Sequence, residues 1–275
     1  MGDRPKPLKG MLQTLDTLLR GGFTDRDRLR EGKIQAPVPV LVKTALVLGA
    51  CYGVMMGLYA LFTWETKGTA LLQMISGTAK VPLLFLLTLL VTFPSLYVVS
   101  ALARTRLRAE DTGRLLLIAI TVNLALLASL GTITGFFTLS TDSYPFMVLL
   151  NVVFFGVSGL AGLSFLRRTL GNLLQEDEEP ETEEDGGNEA GGEGDSAPVT
   201  PPRRHSYAYQ QQLIATERTR RLFAAWCVLF GIVGSQMGWV LRPFIGNPEL
   251  PFQVFRARES NFLEAVLRTI GKLIQ

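Results

Sequence analysis

The chain has 275 residues, 48% of them hydrophobic and 19% charged, with one histidine, two cysteines and a formal net charge of +3. That composition excludes the disordered, collagen-like and disulfide-stapled classes. The apolar residues are pooled into long uncharged blocks rather than spread at strand or helix period, the pattern of an all-α integral membrane protein.

Residues 1–43 form a charged arm. Within it Leu8, Met11, Leu12, Leu15, Leu18 and Leu19 fall at helical spacing and stop at Gly21 and Gly22. A short amphipathic helix is expected there, lying on the membrane interface or docked under a bundle. No short apolar core followed by a small-residue cleavage site occurs in the arm, so no cleavable signal peptide is expected. The first apolar block then doubles as the insertion signal.

Stretches free of Asp, Glu, Lys, Arg and His cover residues 44–64, 81–103, 115–141, 143–166 and 222–241, together 115 residues. A helix needs about 20 apolar residues to cross the hydrocarbon core, so each block suffices. None shows the alternation of a barrel strand. A bundle of five transmembrane helices is expected, with transmembrane helices 1 to 4 in residues 44–166 and the fifth at 222–241. Blocks three and four are parted only by Asp142; Ser140, Thr141, Ser143 and Pro145 around it predict a tight hairpin, the alternative being one long tilted helix. Gly231, Gly234, Gln236 and Gly238 leave a re-entrant fifth block conceivable.

Lys and Arg counts set the orientation. With the N-terminus in the cytoplasm, the cytoplasmic flanks hold 19 and the far side 7, Lys67 and Lys80 of the first loop among the seven. The count favours an N-in, C-out protein. The expected setting is the bacterial cytoplasmic membrane.

Residues 167–221 are read as a cytoplasmic acidic disordered loop and a basic helix. Eleven acids fall within residues 176–195. Such a run self-repels and buries nothing, so it reads as a solvated spacer, with bait for a basic partner as the alternative. Residues 242–275 are read as an outer cap and an amphipathic helix. Pro243, Pro248 and Pro251 forbid regular helix in the first part, which is either a folded cap or a mere connection. In the second part Asn261 and Glu264 can form a capping box ahead of Phe262, Leu263, Val266, Leu267, Ile270, Leu273 and Ile274.

The helices carry small residues at intervals of four. Gly49, Gly53 and Gly57 continue from Ala45 in the first block, Gly131 and Gly135 lie in the third, Ser158 and Gly162 in the fourth, and Gly234 and Gly238 in the fifth. Such stripes let backbones approach closely in lipid, within one chain or across a homo-oligomer seam. The candidate intramembrane polar contacts are Asn123, Asn151 and Gln236. Asn123 and Asn151 lie on neighbouring helices of the hairpin, and a bond between them is expected to glue the two. Pro94 is expected to kink the second span.

No catalytic, metal or cofactor-binding residue is identified. His205 sits alone in a linker beside Arg203 and Arg204, and Cys51 and Cys227 are isolated within spans, where they read as small packing residues. No phosphate loop, nucleophile elbow or dinucleotide fingerprint occurs. Neither an enzyme nor a nucleic-acid binder is expected. What remains is a non-enzymatic organiser or assembly partner, with membrane lipid and other membrane or cytoplasmic proteins as partners; the alternative is a small-solute permease or channel using Asn123, Asn151, Gln236 and the Pro94 kink.

A charged cytoplasmic arm with a short amphipathic segment, five clustered spans with small-residue stripes and a short outer tail resembles the Yip family of five-span membrane proteins and its bacterial relatives. The Asp-Leu-Tyr-Gly-Pro motif of the eukaryotic trafficking members is missing from residues 1–43, and the acidic insertion before the fifth span is a departure. The resemblance therefore implies a topology and carries over no binding residue.

Overall fold

A computed structural model describes residues 7–20, 37–102, 109–176, 204–255 and 262–274. The described residues form seven helices and no strand: α1 (Pro7–Leu19), α2 (Val38–Thr63), α3 (Lys67–Leu102), α4 (Ala109–Ser140), α5 (Tyr144–Glu176), α6 (Arg204–Leu241) and α7 (Phe262–Ile274). Five of them, α2 to α6, are long and apolar enough to cross a membrane. The acidic residues 177–195 lie outside the described residues.

Local chemistry sets the ends of these helices. At the C-terminus of α2, Trp64 adopts extended backbone while its N–H still donates to Ala60 O at 3.0 Å. The Lys67 ammonium then donates to Leu61 O at 2.9 Å and Trp64 O at 3.1 Å, serving carbonyls the helix leaves open. The chain is cut at Asp142, as a hairpin. Thr141 Oγ1 accepts the Ser143 N–H, Ser143 Oγ accepts the Phe146 N–H at 3.4 Å, and Pro145 stands in the first turn of α5, where its missing N–H costs nothing.

The tightest seam joins α2 to α3. A Cβ built on Gly49 would stand 3.0 Å from Pro82 Cα, one on Gly53 2.6 Å from Thr78 Cα, and one on Gly57 2.7 Å from Met74 Cα. Three successive turns of α2 therefore lie against α3 main chain, with no room for a side chain. On the other side of α2, Gly131 and Gly135 of α4 receive Tyr52 and Met55. On α5, Gly162 packs against Asn123 and Ala119 of α4. Two residues of the fifth block differ from the sequence expectation. A Cβ on Gly234 would make only ordinary contact with Thr88, at 3.7 Å, and one on Gly238 would meet nothing within 4 Å. The cause is position: α6 packs along one edge of the bundle, against α3 and α5, and most of its surface faces outward.

Two apolar clusters fill the bundle. One gathers Leu18 of α1 with Leu41, Leu96, Leu115, Leu166 and Trp226 at the end where α1 tucks beneath α2 and α4. The other runs past Tyr52, Met56, Phe85, Leu124, Leu127 and Met147 toward the end that carries the α2–α3 and α4–α5 turns. The outward faces are equally apolar: Leu90, Leu139, Leu160 and Val228 are between 64% and 70% exposed. Pro94 lies within α3, which remains helical across it. The Ser95 hydroxyl beside it donates to Thr92 O at 2.7 Å and accepts the Trp226 indole N–H at 3.0 Å, tying α6 to α3.

Gly53→Leu is expected to lower stability by about 3 kcal/mol or more, since overpacking here has main chain rather than a movable side chain to push against. Gly231→Leu, at a site where a Cβ meets nothing within 4 Å, is the matched control and should melt with the parent. Thermal unfolding in detergent compares the two.

Candidate functional site

Polar groups inside the bundle fall into three places. In the middle, the fully buried Tyr52 of α2 donates its hydroxyl to Asn151 Oδ1 of α5 at 2.6 Å, and Asn151 Nδ2 donates to Met147 O at 2.7 Å. Two turns further along α2, Tyr59 donates to the Asp142 carbonyl at 2.6 Å and ties α2 to the α4–α5 hairpin. Both tyrosines bring a polar tip to a helix partner, and the buried Tyr52–Asn151 bond forms where water cannot compete.

The expected bond between Asn123 and Asn151 does not form. The hairpin turns at Asp142, so Asn123 comes level with Gly162 and Asn151 about 11 residues, roughly 16 Å, away along the axis. The two amides share a helix pair but not a level. Asn123 Oδ1 is buried with no hydrogen-bond partner among the described residues. It sits in a shallow depression lined by Leu116, Ala119, Ile120, Gly159, Gly162 and Phe230, with about 10 Å³ of space for water, room for one molecule at most. Gln236 is half-buried on α6 and joins neither amide. Cys227 is buried as expected, whereas Cys51 is exposed on the outer face of α2. His205 falls in the first turn of α6 rather than on a loop. Among the described residues no three His, Cys, Asp or Glu come together as a metal site would require.

The third place was not singled out in the sequence. Lys80 stands in the interior of α3, thirteen residues past its start, and is 3% exposed. Its surroundings follow from the length of α6. Trp226 pairs with Ser95, so Leu241, fifteen residues on, ends α6 at the level of Lys80, fifteen residues back along α3. The α2–α3 turn lies about 20 Å beyond that level. The chain covers this distance as a non-helical strap, residues 242–255. It climbs past Gln73 to Gly246, reverses in a turn where Asn247 Oδ1 accepts the Glu249 N–H and Asn247 O the Leu250 N–H, and descends again. The peptide bond between Arg242 and Pro243 is cis.

Side chains of α3 receive the strap's carbonyls. Lys80 Nζ donates to Pro243 O at 3.0 Å and to Val254 O, and stands 5.1 Å from the centre of the Phe255 ring. Gln73 Nε2 donates to Phe244 O at 3.1 Å and Pro243 O at 3.3 Å. Ile245 is buried in the core, and a Cβ on Gly246 would overlap the Trp64 ring and stand 2.8 Å from Gln73 Cγ. Phe252 closes over Ala60, Trp64 and Ala70. The strap is thus packed onto α2 and α3 by hydrogen bonds and apolar contacts. Not every polar group here has a partner among the described residues: Trp64 Nε1, Gln73 Oε1 and Ser76 Oγ are buried without one.

No protein-family model, curated protein or solved structure matches the chain. The class defined by the fold is therefore stated from geometry alone: an all-helical chain with five membrane-length apolar helices and a strap closed over a buried lysine.

Tyr52→Phe leaves the Asn151 carbonyl oxygen without its donor and should lower stability by about 1 kcal/mol. Combining it with Asn151→Leu should cost less than the sum of the single changes, because both remove the same bond. A double-mutant cycle by denaturant unfolding measures the coupling; strict additivity would show that the bond contributes nothing.

Proposed function

We propose that the chain is an integral, multi-pass membrane protein with its N-terminus in the cytoplasm and its C-terminal tail outside, acting without catalysis as an organiser or assembly partner in a bacterial cytoplasmic membrane. The observation that carries this reading is the dense packing among the described residues. The α2–α3 seam leaves no room for a Cβ, aromatic residues fill the second core cluster, and the depression at Asn123 takes one water at most. A permease would need a polar path, whereas Tyr52, Asn151 and Tyr59 spend their hydrogen bonds on stitching helices together. The outward apolar faces of α3 to α6 are what hydrocarbon would cover. The Yip-like topology agrees with this reading, in which the cytoplasmic arm and the 167–221 segment recruit partners. The glycine seam of α2 is used within one chain, so a homo-oligomer, if formed, would use other surfaces such as the outer face of α6.

The orientation rests on the basic-residue count together with the antiparallel order of α2 to α6, which puts the α2–α3 turn, the α4–α5 turn and the strap at one end. Cysteines introduced at Gly187 and Asn247 should react with an impermeant maleimide from opposite sides of the membrane. Labelling of both from one side would overturn the N-in, C-out arrangement.

The recruiting role is tested by replacing residues 176–195 with a neutral Gly/Ser linker of equal length, which keeps the reach between α5 and α6. A run of eleven acids cannot offset the entropy of ordering itself, so the exchanged protein should insert, purify and melt with the parent. Proteins that copurify with the parent in mild detergent and are lost on the exchange would be recruited by that segment. If reconstituted parent protein instead lets small solutes cross proteoliposomes, the organiser reading fails.

A further inference from the structure

Lys80 is a formal charge placed where charge is costly. Apolar side chains that face outward lie on both sides of it along α3, Leu72 and Ile75 before it and Leu83 and Leu90 after it. Among the described residues no carboxylate lies within 4 Å of its ammonium, whose contacts are two strap carbonyls and the Phe255 ring. Carbonyl dipoles satisfy the N–H donors but leave a full positive charge unbalanced in a dry site. Ionisable groups at such depth tend to mark functional sites.

On this side of α3 the donors Trp64 Nε1 and Ser76 Oγ have no partner among the described residues, while the unpartnered atom of Gln73 is its acceptor, Oε1. Gln73, Ser76, Gly77 and Lys80 share one face of α3 by their three- and four-residue spacing. Gly77 leaves that face open to close approach: a Cβ there would stand 3.1 Å from Phe244 O. On the same side the Trp64 indole N–H, in a residue 8% exposed, and the Ser76 hydroxyl find no partner among the described residues. Gln73, fully buried, turns its amide N–H toward the strap. The face thus combines one cation with indole, amide and hydroxyl donors, and it already selects oxygen atoms carrying partial negative charge, those of Pro243, Phe244 and Val254.

We propose that this face of α3, with Trp64 beside it, is a binding site for an anionic oxygen group, a phosphate or a carboxylate, for which the strap's carbonyls are the built-in competitor. Such a ligand balances the Lys80 charge and uses the idle donors, which the strap does not. The second half of the strap is the more loosely held: residues 242–255 are non-helical, and Leu250, Val254 and Phe255 are exposed, whereas Pro243, Ile245 and Gly246 are buried. Binding therefore exchanges the strap for the ligand, and a strap that docks poorly binds the ligand more tightly.

The test is performed on full-length protein in phosphatidylcholine nanodiscs, titrated with inorganic phosphate at constant ionic strength and followed by melting temperature. In Gly246→Leu, whose side chain cannot fit against Trp64 and Gln73, the dissociation constant for phosphate should be at least ten-fold tighter than in the parent. Adding Lys80→Met to that variant should abolish the shift. A lipid headgroup of net negative charge as the source would show instead as a stabilisation of Gly246→Leu in phosphatidylglycerol nanodiscs, absent in zwitterionic phosphatidylcholine and lost with Lys80→Met. If neither probe moves the melting temperature, or if the shift survives Lys80→Met, the proposal is overturned. Should Gly246→Leu fail to accumulate, the parent and Lys80→Met are compared directly: a ten-fold weaker phosphate affinity in Lys80→Met supports the site, and equal affinities or no binding overturn it.

Discussion

The contact of α2 backbone with α3 backbone, over Gly49, Gly53 and Gly57, is the constraint from which the other features follow. Between helices that are apolar on their outer faces as well as their inner ones, apolar burial distinguishes few arrangements, so close packing of main chain and the few interhelical hydrogen bonds decide among them. Removing three side chains from one face of α2 lets dispersion and Cα–H contacts act along three turns. It also sets the register. With Gly53 against Thr78, the polar face of α3 at Gln73 and Lys80 lies alongside the second half of α2, and Trp64 at the end of α2 comes to stand over Gln73.

A second consequence concerns α6. Its tie to α3 through Trp226 and Ser95 makes it end beside Lys80, well short of the turns that close the other helix pairs. A helix that stops among apolar neighbours leaves carbonyls open, and each would be costly without a donor. Lys80 and Gln73 supply donors at that level, and their reach into Pro243 O, Phe244 O and Val254 O lets irregular chain lie against the bundle. Backbone outside a helix is tolerated at such depth only where protein satisfies it. Shortening of α6 and the placing of a lysine within α3 are therefore one feature seen from two helices.

Much of the fold was legible because it depends on local chemistry. The apolar blocks, the hairpin at Asp142 with its Thr141, Ser143 and Pro145, and the stripe at Gly49, Gly53 and Gly57 can all be read without knowing which helix neighbours which. The register between helices cannot. Asn123 and Asn151 were paired on the ground that their helices are adjacent, and counting outward from Asp142 would have separated them. Lys80 was missed for a different reason. Cutting spans wherever a charge occurs removes any lysine from a span by definition, and so the second block began at Val81. The unbroken run from Gly68 to Ala79, free of charge and of proline, with Gln73, Gly77 and Lys80 on one helical face, was the signal that the helix begins earlier. Gly238 illustrates the converse: a small-xxx-small spacing states that close approach is permitted, and only the position of α6 at the edge of the bundle decides that no helix takes it up.

The strap also explains why an all-apolar solution was not available at this end of the molecule. A fifth helix long enough to reach the α2–α3 turn would need about thirteen more residues at 1.5 Å each, and Pro243 stops it at once. Apolar residues in place of Lys80 and Gln73 would pack well against Ile245 and Phe252 but would leave the carbonyls of Pro243, Phe244 and Val254 without donors. The polar pair thus answers a need created by the short helix, and the answer brings its own imbalance, because two donors that satisfy three carbonyls carry a whole positive charge between them. Carbonyl dipoles and an aromatic face reduce that imbalance without cancelling it. The end of α6 is for that reason a place where backbone hydrogen bonding is met and charge is not.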